Sequence, residues 1–145
     1  MSTRLSTVRG GRRVLFVDTS FLIALQVSRD GHHGDALALW RNRSDRLVTT
    51  NHVVGETWTG LRRRAGHRAA CSFYGAVTTE PRLSIVPVGA ALERVAWRWL
   101  VHRDERAYSF VDATSFAFMR DKSITDALAF DGDFSAAGFV ERRAS

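Results

Sequence analysis

Short apolar runs alternate along the chain with longer segments in which apolar residues recur every three or four positions. The run 13–17 is apolar after its first residue, which is typical of a central parallel strand covered on both faces. Similar short runs predict strands over 46–50, 83–87 and 127–130. The helical spacing predicts helices over 21–25, 35–42, 51–64, 67–77, 90–103 and 111–120. Asn51 is the expected N-cap of the third helix.

Repeated strand–helix units predict an α/β fold with a central parallel sheet and helices on both faces. The 145 residues suffice for one domain, which we place at 13–145, preceded by a flexible basic arm at 1–12. The apolar stretch 14–27 contains Asp18 and precedes no small-residue cleavage site, so it matches neither a signal peptide nor a membrane span. We therefore expect a soluble cytoplasmic protein.

The charge balance is basic, with 21 Lys and Arg against 15 Asp and Glu, a formal net charge of +6. Lys122 is the only lysine, and the planar guanidinium of arginine suits phosphate groups, which favours a polyanionic partner such as RNA. A GC-rich genome would give the same arginine bias without any such partner. Cys71 is the single cysteine, so one chain forms neither a disulfide nor a cysteine-based zinc site.

Carboxylates occur where the predicted sheet would bind a ligand, beyond the carboxyl ends of its strands. Asp18 directly follows the strand 13–17, and Asp131 and Asp133 follow the strand 127–130. Asp112 begins the helix before that last strand, and Glu56 lies in the helix after the strand 46–50. Four separate segments thus bring acidic side chains toward one edge of the sheet.

Each acid also has a purely structural explanation. Asp18 is a suitable helix cap, Asp112 a first-turn acid favoured by the helix dipole, and Glu56 a solvated residue. The segment 131–133 reads equally well as a turn around glycine. Gathered together, however, the carboxylates would repel one another unless a hard cation such as Mg²⁺ or Mn²⁺ lay between them. Such a site, part protein and part water, suits the hydrolysis of a phosphodiester.

Four segments, in this order, resemble the PIN-domain ribonucleases, and specifically the VapC-type toxins of bacterial toxin–antitoxin pairs. They are VLFVDTS at 14–20, TTNHVVGET at 49–57, SFVDATSFAFM at 109–119 and ALAFDGDF at 127–134. The likeness extends over residues 13–140. It implies a PIN-like three-layer sandwich with the parallel sheet in the middle layer.

The resemblance implies that Asp18 and Asp112 bind Mg²⁺ directly, and that Glu56 and Asp131 complete the catalytic set. It also suggests supporting roles for Thr19 and Ser20, which would orient Asp18, and for Ser115 and Asp133. Ser115 is equally suited to a hydrogen bond back to its own helix, and Asp133 to a helix cap.

The predicted function is that of a Mg²⁺-dependent endoribonuclease toxin. The resemblance further implies a homodimer and a VapB-like antitoxin, one of whose arginines would take the place of the metal charge. Four arginines near Glu56 are candidates for holding the RNA backbone, although a solvated helix end explains them equally well: Arg62, Arg63, Arg64 and Arg68.

Two other functions remain open from the residues alone. A non-catalytic RNA-binding module would use the same basic surface and would need no metal. A phosphohydrolase of the haloacid dehalogenase type would also place an Asp after an apolar strand, but it requires a second Asp two residues later, where this chain has Ser20.

Overall fold

A computed structural model describes residues 8–9, 12–41 and 45–144. The predicted arm at 1–12 therefore lies mostly outside the described residues. In the described part of the chain the elements follow in the order β1 (Val8–Arg9), β2 (Arg12–Val17), α1 (Thr19–Gln26), α2 (His33–Arg41), β3 (Arg46–Thr50), α3 (Asn51–Ala65), α4 (His67–Thr79), β4 (Leu83–Val86), α5 (Ala90–Leu100), α6 (Phe110–Lys122), β5 (Asp126–Leu128), α7 (Asp133–Ala136) and β6 (Val140–Glu141).

The sheet has the strand order β4-β3-β2-β5-β6, and all four of these neighbouring pairs are parallel. β1 pairs with the start of β2 in antiparallel orientation. β2 lies in the middle of the parallel path, and its consecutive residues Leu15 and Phe16 are both fully buried. Because neighbouring side chains on a strand point to opposite faces, both faces of the sheet are covered. The predicted α/β sandwich with a central parallel sheet is confirmed.

The strands and the main helices agree with the sequence-based predictions to within a few residues at each end. The last predicted strand is shorter than expected because Phe130 leaves the sheet, and its N–H donates instead to Ser20 Oγ at 3.0 Å. β1, α7 and β6 were not predicted, because elements of two to four residues are too short to show a periodic pattern.

The predicted cap of α3 was wrong by one residue. Thr50, not Asn51, is the N-cap, and its hydroxyl accepts a hydrogen bond from Val53 N at 3.2 Å. Asn51 instead accepts a hydrogen bond from Val88 N at 2.8 Å and so ties the start of α3 to the segment after β4. Both side chains are good caps, and a tertiary partner for Asn51 leaves this role to its neighbour.

At the amino end of the sheet, a buried carboxylate is fully paired. Asp126 accepts hydrogen bonds from Arg13 at 3.2 Å, Arg142 at 3.1 Å and Thr125 Oγ1 at 2.8 Å. Two cations thus offset one acid at this end of the fold. Across the described ranges, no helix has both the length and the apolar character needed to span a bilayer.

Candidate active site

Asp18 lies where β2 ends and α1 begins, at the carboxyl edge of the central strand. It is the N-cap of α1, and its Oδ2 accepts hydrogen bonds from Ser20 N at 3.1 Å and Ser20 Oγ at 2.7 Å. The residue is 2% exposed. Burial, followed by the negative charges of Asp131 and Asp112, raises the pKa of Asp18 to about 8. Such a shift marks a carboxylate that lacks a neutralising partner.

Asp112 lies in the first turn of α6, on the opposite side of the site from Asp18. It forms a capping box with Ser109, in which each side chain accepts a 2.9 Å hydrogen bond from the other residue's backbone N–H. Burial, together with Asp133 and Asp131, raises the pKa of Asp112 to about 6. The structural role and the candidate metal-binding role are therefore compatible, because the capping box also fixes the carboxylate in place.

Asp131 and Asp133 flank a tight turn after β5. Gly132 has a φ of 83°, a left-handed conformation that glycine adopts readily, and Asp133 N donates to Asp131 Oδ1 at 3.1 Å. Burial and the nearby Asp133 carboxylate raise the pKa of Asp131. Asp133 is the first residue of α7, and Gly132 rather than Asp133 is the N-cap.

Arg106 reaches this turn from the loop between α5 and α6, and the sequence analysis did not select it. Its Nε donates to Asp133 Oδ1 at 2.6 Å and its Nη2 donates to the Asp131 carbonyl at 3.0 Å. Arg106 lies in a mixed-charge stretch of a long loop, where no spacing signals a contact 25 residues away. It supplies the only cation hydrogen-bonded to the acids of this edge among the described residues.

Glu56 faces a groove of about 650 Å³ beside these acids. The groove is also lined by Thr19 and Val111, the chain neighbours of Asp18 and Asp112, and by Arg63. The fold therefore brings all the predicted acidic segments to one edge of the sheet, as the parallel topology requires.

Two buried hydroxyls near the acids have no hydrogen-bond partner among the described residues, Thr19 Oγ1 and Ser115 Oγ. Thr19 directly follows Asp18, and Ser115 lies three residues after Asp112, on the same side of α6. Ser115 thus makes no hydrogen bond to its own helix, and Ser20 rather than Thr19 contacts Asp18. Unpartnered buried hydroxyls are rare and suit a site that receives a hydrated ion or a substrate.

The residues at this edge fit a hydrated divalent cation. No three His, Cys, Asp or Glu side chains among residues 8–9, 12–41 and 45–144 are grouped closely enough to hold a metal on their own. Mg²⁺ keeps several waters, however, and takes only one or two carboxylates from the protein. Asp18 and Asp112 are such a pair: burial, together with the neighbouring carboxylates, raises the pKa of both, and a bound cation would offset this cost.

The four candidate RNA-binding arginines differ in their surroundings, although all are exposed. Arg63 lines the groove that contains Glu56. Arg64 is already paired, because its Nη1 lies 3.2 Å from Asp30 Oδ2. Partial burial acts to raise the pKa of Asp30. The hydrogen bond from the His32 N–H and the Arg64 guanidinium act in the other direction and together bring this pKa below its ordinary value. Arg62 lies at the end of α3 and Arg68 at the start of α4.

A central parallel sheet with acids from separate segments at one edge defines a class of metal-dependent nuclease. The family model described as PIN domain matches residues 15–140 of this chain.

Two curated relatives, from the CDC 1551 / Oshkosh and H37Rv strains of Mycobacterium tuberculosis, carry the description 23S rRNA-specific endonuclease VapC20. Each is 56% identical over 130 residues, which cover 90% of this chain and 98% of the relative. The crystal structure of Mycobacterium tuberculosis VapC20, described as a sarcin–ricin loop cleaving toxin, superposes with a TM-score of 0.85 at 56% identity. The superposition covers 89% of this chain and 98% of the VapC20 chain in that crystal structure. This chain therefore belongs to the PIN-domain family and, within it, to the VapC-type endonuclease toxins.

A more distant structure shares the fold. VapBC2 from Rickettsia felis, solved with a DNA fragment from its promoter, has a TM-score of 0.63 at 10% identity and covers 89% of this chain and 97% of that one. The predicted family, fold and enzyme class are thus confirmed, and PIN nucleases generally depend on divalent metal ions.

The raised pKa of Asp18 predicts how stability varies with pH in metal-free protein. The folded-state pKa of about 8 exceeds the ordinary value of 3.8 for an exposed Asp. Between these two values the native state binds more protons than the unfolded state, so stability falls as pH rises through this range. Asp18→Asn removes the buried charge. At pH 8 we expect the Tm of this variant to exceed that of the wild type by about 2–4 °C. A change of ~1 kcal/mol in the free energy of unfolding gives a Tm shift of this size in a domain of this length. The difference should vanish near pH 4.

Asp126→Asn is the matched control, because it makes the same change at a buried acid whose charge is offset by arginines. It should lower the Tm at pH 8. Thermal melts with chelator at pH 4, 6 and 8 make this comparison. A wild-type Tm that rises steadily from pH 4 to pH 8 would contradict the assignment of an uncompensated charge to Asp18.

Proposed function

We propose that this protein is a Mg²⁺-dependent endoribonuclease toxin that hydrolyses 23S rRNA in the sarcin–ricin loop. It acts in the cytoplasm until a cognate antitoxin binds it. The observation that carries this proposal is the mutual proximity of Asp18, Asp112 and Asp131 at the carboxyl edge of the sheet, with Glu56 in the groove lined by their chain neighbours Thr19 and Val111. The target follows from the 56% identity to relatives described as specific for 23S rRNA.

Asp18 and Asp112 are the residues that would hold Mg²⁺. Their carboxylates are fixed by hydrogen bonds from Ser20 and Ser109, so little reorganisation is needed when the ion binds. When bound, Mg²⁺ supplies positive charge that stabilises the attacked phosphate group and lowers the pKa of a coordinated water. Mn²⁺ has a similar preference for oxygen ligands and is expected to substitute.

The remaining acids act on the attacking water or form the turn at Gly132 beside it. In the hydrolysis, the water oxygen forms a new bond to phosphorus while one ester P–O bond breaks. The leaving ribose oxygen takes up a proton, and the water gives up one. Glu56 and Asp131 are the carboxylates that orient this water and accept its proton. Arg106 holds the Asp131 carbonyl and Asp133, and so keeps the turn in place.

The antitoxin would cover an apolar groove on the protein. A groove of about 320 Å³ lies between α1, α2 and α4 and is lined by Leu22, Leu37, Trp40, Phe73 and Val77, among others. Apolar grooves between helices suit an amphipathic helix of a partner. An antitoxin arginine directed at Asp18 and Asp112 would inhibit by supplying the charge that Mg²⁺ otherwise supplies.

A homodimer is supported by the exposed apolar side chains of α5 and its end. Val95, Trp97 and Val101 are 40%, 50% and 70% exposed. Trp97 and Val101 are four residues apart and so share one side of the helix, whereas Val95 lies on another side. Exposed apolar groups that lie together commonly mark a protein interface. We propose α5 as the dimer contact.

Loss of either proposed metal ligand should abolish cleavage without loss of the fold. We expect Asp18→Asn and Asp112→Asn each to cut a total-RNA or ribosome substrate at least about 100-fold more slowly. Chelator should stop the wild-type protein, and added Mg²⁺ should restore it. Primer extension across 23S rRNA, in reactions with purified protein free of antitoxin, measures the cut site and its rate.

Asp104→Asn is the matched control, since Asp104 is an exposed acid of the α5–α6 loop. Its rate should equal that of the wild type. Cleavage by both Asp→Asn variants in the presence of chelator would contradict the proposal. RNA binding without cleavage under all conditions would indicate the non-catalytic RNA-binding module instead.

Salt dependence separates the arginines that hold RNA from the one that is already paired. Arg62→Gln and Arg63→Gln should each reduce the slope of log affinity against log salt by about 0.7–0.9, as one lost phosphate contact does. We expect Arg64→Gln to change the slope much less, because Asp30 already neutralises Arg64. The slope is measured with an uncleavable complex of Asp112→Asn protein and RNA. Equal slopes for all three variants and the parent would contradict the proposal that Arg62 and Arg63 hold the RNA backbone.

A further inference from the structure

An exposed aromatic stack borders the acidic edge and has no role in the reaction described above. His32, in the loop between α1 and α2, lies flat on Phe130, with ring centroids 4.5 Å apart and an interplanar angle of 2°. Phe130 directly precedes Asp131, so their Cα atoms are about 3.8 Å apart. The stack is therefore next to the proposed catalytic acids along the chain and in space.

Phe130 gives the stack a rigid base. Its ring also stacks on the buried Phe21, at 5.7 Å and 23°. Its N–H donates to Ser20 Oγ at 3.0 Å, and that hydroxyl donates to Asp18 at 2.7 Å. Two hydrogen bonds thus link the backbone beneath the stack to the carboxylate at the end of β2. A ring resting on Phe130 has a fixed position relative to Asp18.

The loop that carries His32 is also held in place. His32 N donates to Asp30 Oδ1 at 2.9 Å, while Asp30 Oδ2 accepts from Arg64 at 3.2 Å. Arg29 Nη2 donates to the Arg64 carbonyl at 3.2 Å. The end of α3 therefore anchors the loop through Arg64, which explains why this arginine is not a free cation. His32 is exposed, and Phe130 is the only aromatic ring in the described part of the chain that stacks on it.

Stability alone is a weak explanation for this arrangement, since an exposed ring buries little apolar area. A flat, preorganised and exposed ring is instead how proteins hold unstacked bases of RNA loops. We propose that His32 and Phe130 form a nucleobase-binding subsite, which stacks a base of the RNA strand beside the phosphodiester that is cut. This inference rests on the proposed ribonuclease function and adds a recognition element to it.

Aromatic character at position 32, rather than histidine itself, is the property to test. His32→Ala removes the ring, whereas His32→Phe keeps it. On a synthetic RNA hairpin with the sarcin–ricin sequence, we expect His32→Ala to lower kcat/KM about 5- to 100-fold, the range of one base–aromatic stack. His32→Phe should stay within about threefold of the wild type. His102→Ala, at an exposed histidine of the α5–α6 loop, is the matched control and should leave kcat/KM unchanged.

A fluorescence measurement tests the stack without relying on cleavage. The hairpin carries 2-aminopurine on either side of the cut phosphodiester and is bound by protein with Asp112→Asn. Stacking on His32 should change the emission of one labelled base, and adding His32→Ala should remove that change while adding His32→Phe keeps it.

The outcomes separate the two proposals. A wild-type protein that neither binds nor cuts the hairpin would overturn both. Cleavage that is equal in the wild type, His32→Ala and His32→Phe, with no change in emission, would overturn the subsite alone. An equal loss in His32→Ala and His32→Phe would also overturn it, because histidine would then act through its ring nitrogens rather than by stacking.

Discussion

The constraint on which this molecule depends is the burial of like charges at one edge of its sheet. Asp18 and Asp112 are almost fully covered, and this burial, together with the negative charges around them, raises both pKa values. Keeping them together costs free energy that the core of the sandwich must offset. The capping hydrogen bonds from Ser20 and Ser109 prevent either carboxylate from turning away to relieve the repulsion.

The acids at the two ends of β5 differ in whether arginine side chains neutralise them. At its start, Asp126 is matched by arginines from β2 and from the segment after β6. Beyond its end, the Asp131 carboxylate accepts the Asp133 N–H, and Arg106 contacts only the Asp131 backbone carbonyl. At the amino end of the sheet the buried carboxylate is thus neutralised by arginines, while at the carboxyl end the carboxylates are not. This asymmetry is the physical difference between a stabilising acid and one suited to chemistry.

Most of the fold and the acidic set could be predicted from the sequence, because both follow from periodic patterns and from the rule that ligands bind at strand ends. Asp18 directly follows β2 and Asp131 lies three residues after β5, while Asp112 begins the helix that leads into β5. Arg106 and His32 could not be found in this way. Each lies in an irregular loop and acts through a tertiary contact that only the folded chain defines: Arg106 contacts Asp133, 27 residues away in sequence, and His32 contacts Phe130, much later in the sequence.

The turn at Gly132 couples two distant positions of the chain. A side chain there would have to adopt a φ of 83°, and its Cβ would lie 3.1 Å from Arg106 Nη2. The left-handed backbone disfavours any other residue at 132 whether or not Arg106 is present, and the guanidinium narrows the space there further. The spacing between Asp131 and Asp133 is therefore set by a residue that has no side chain.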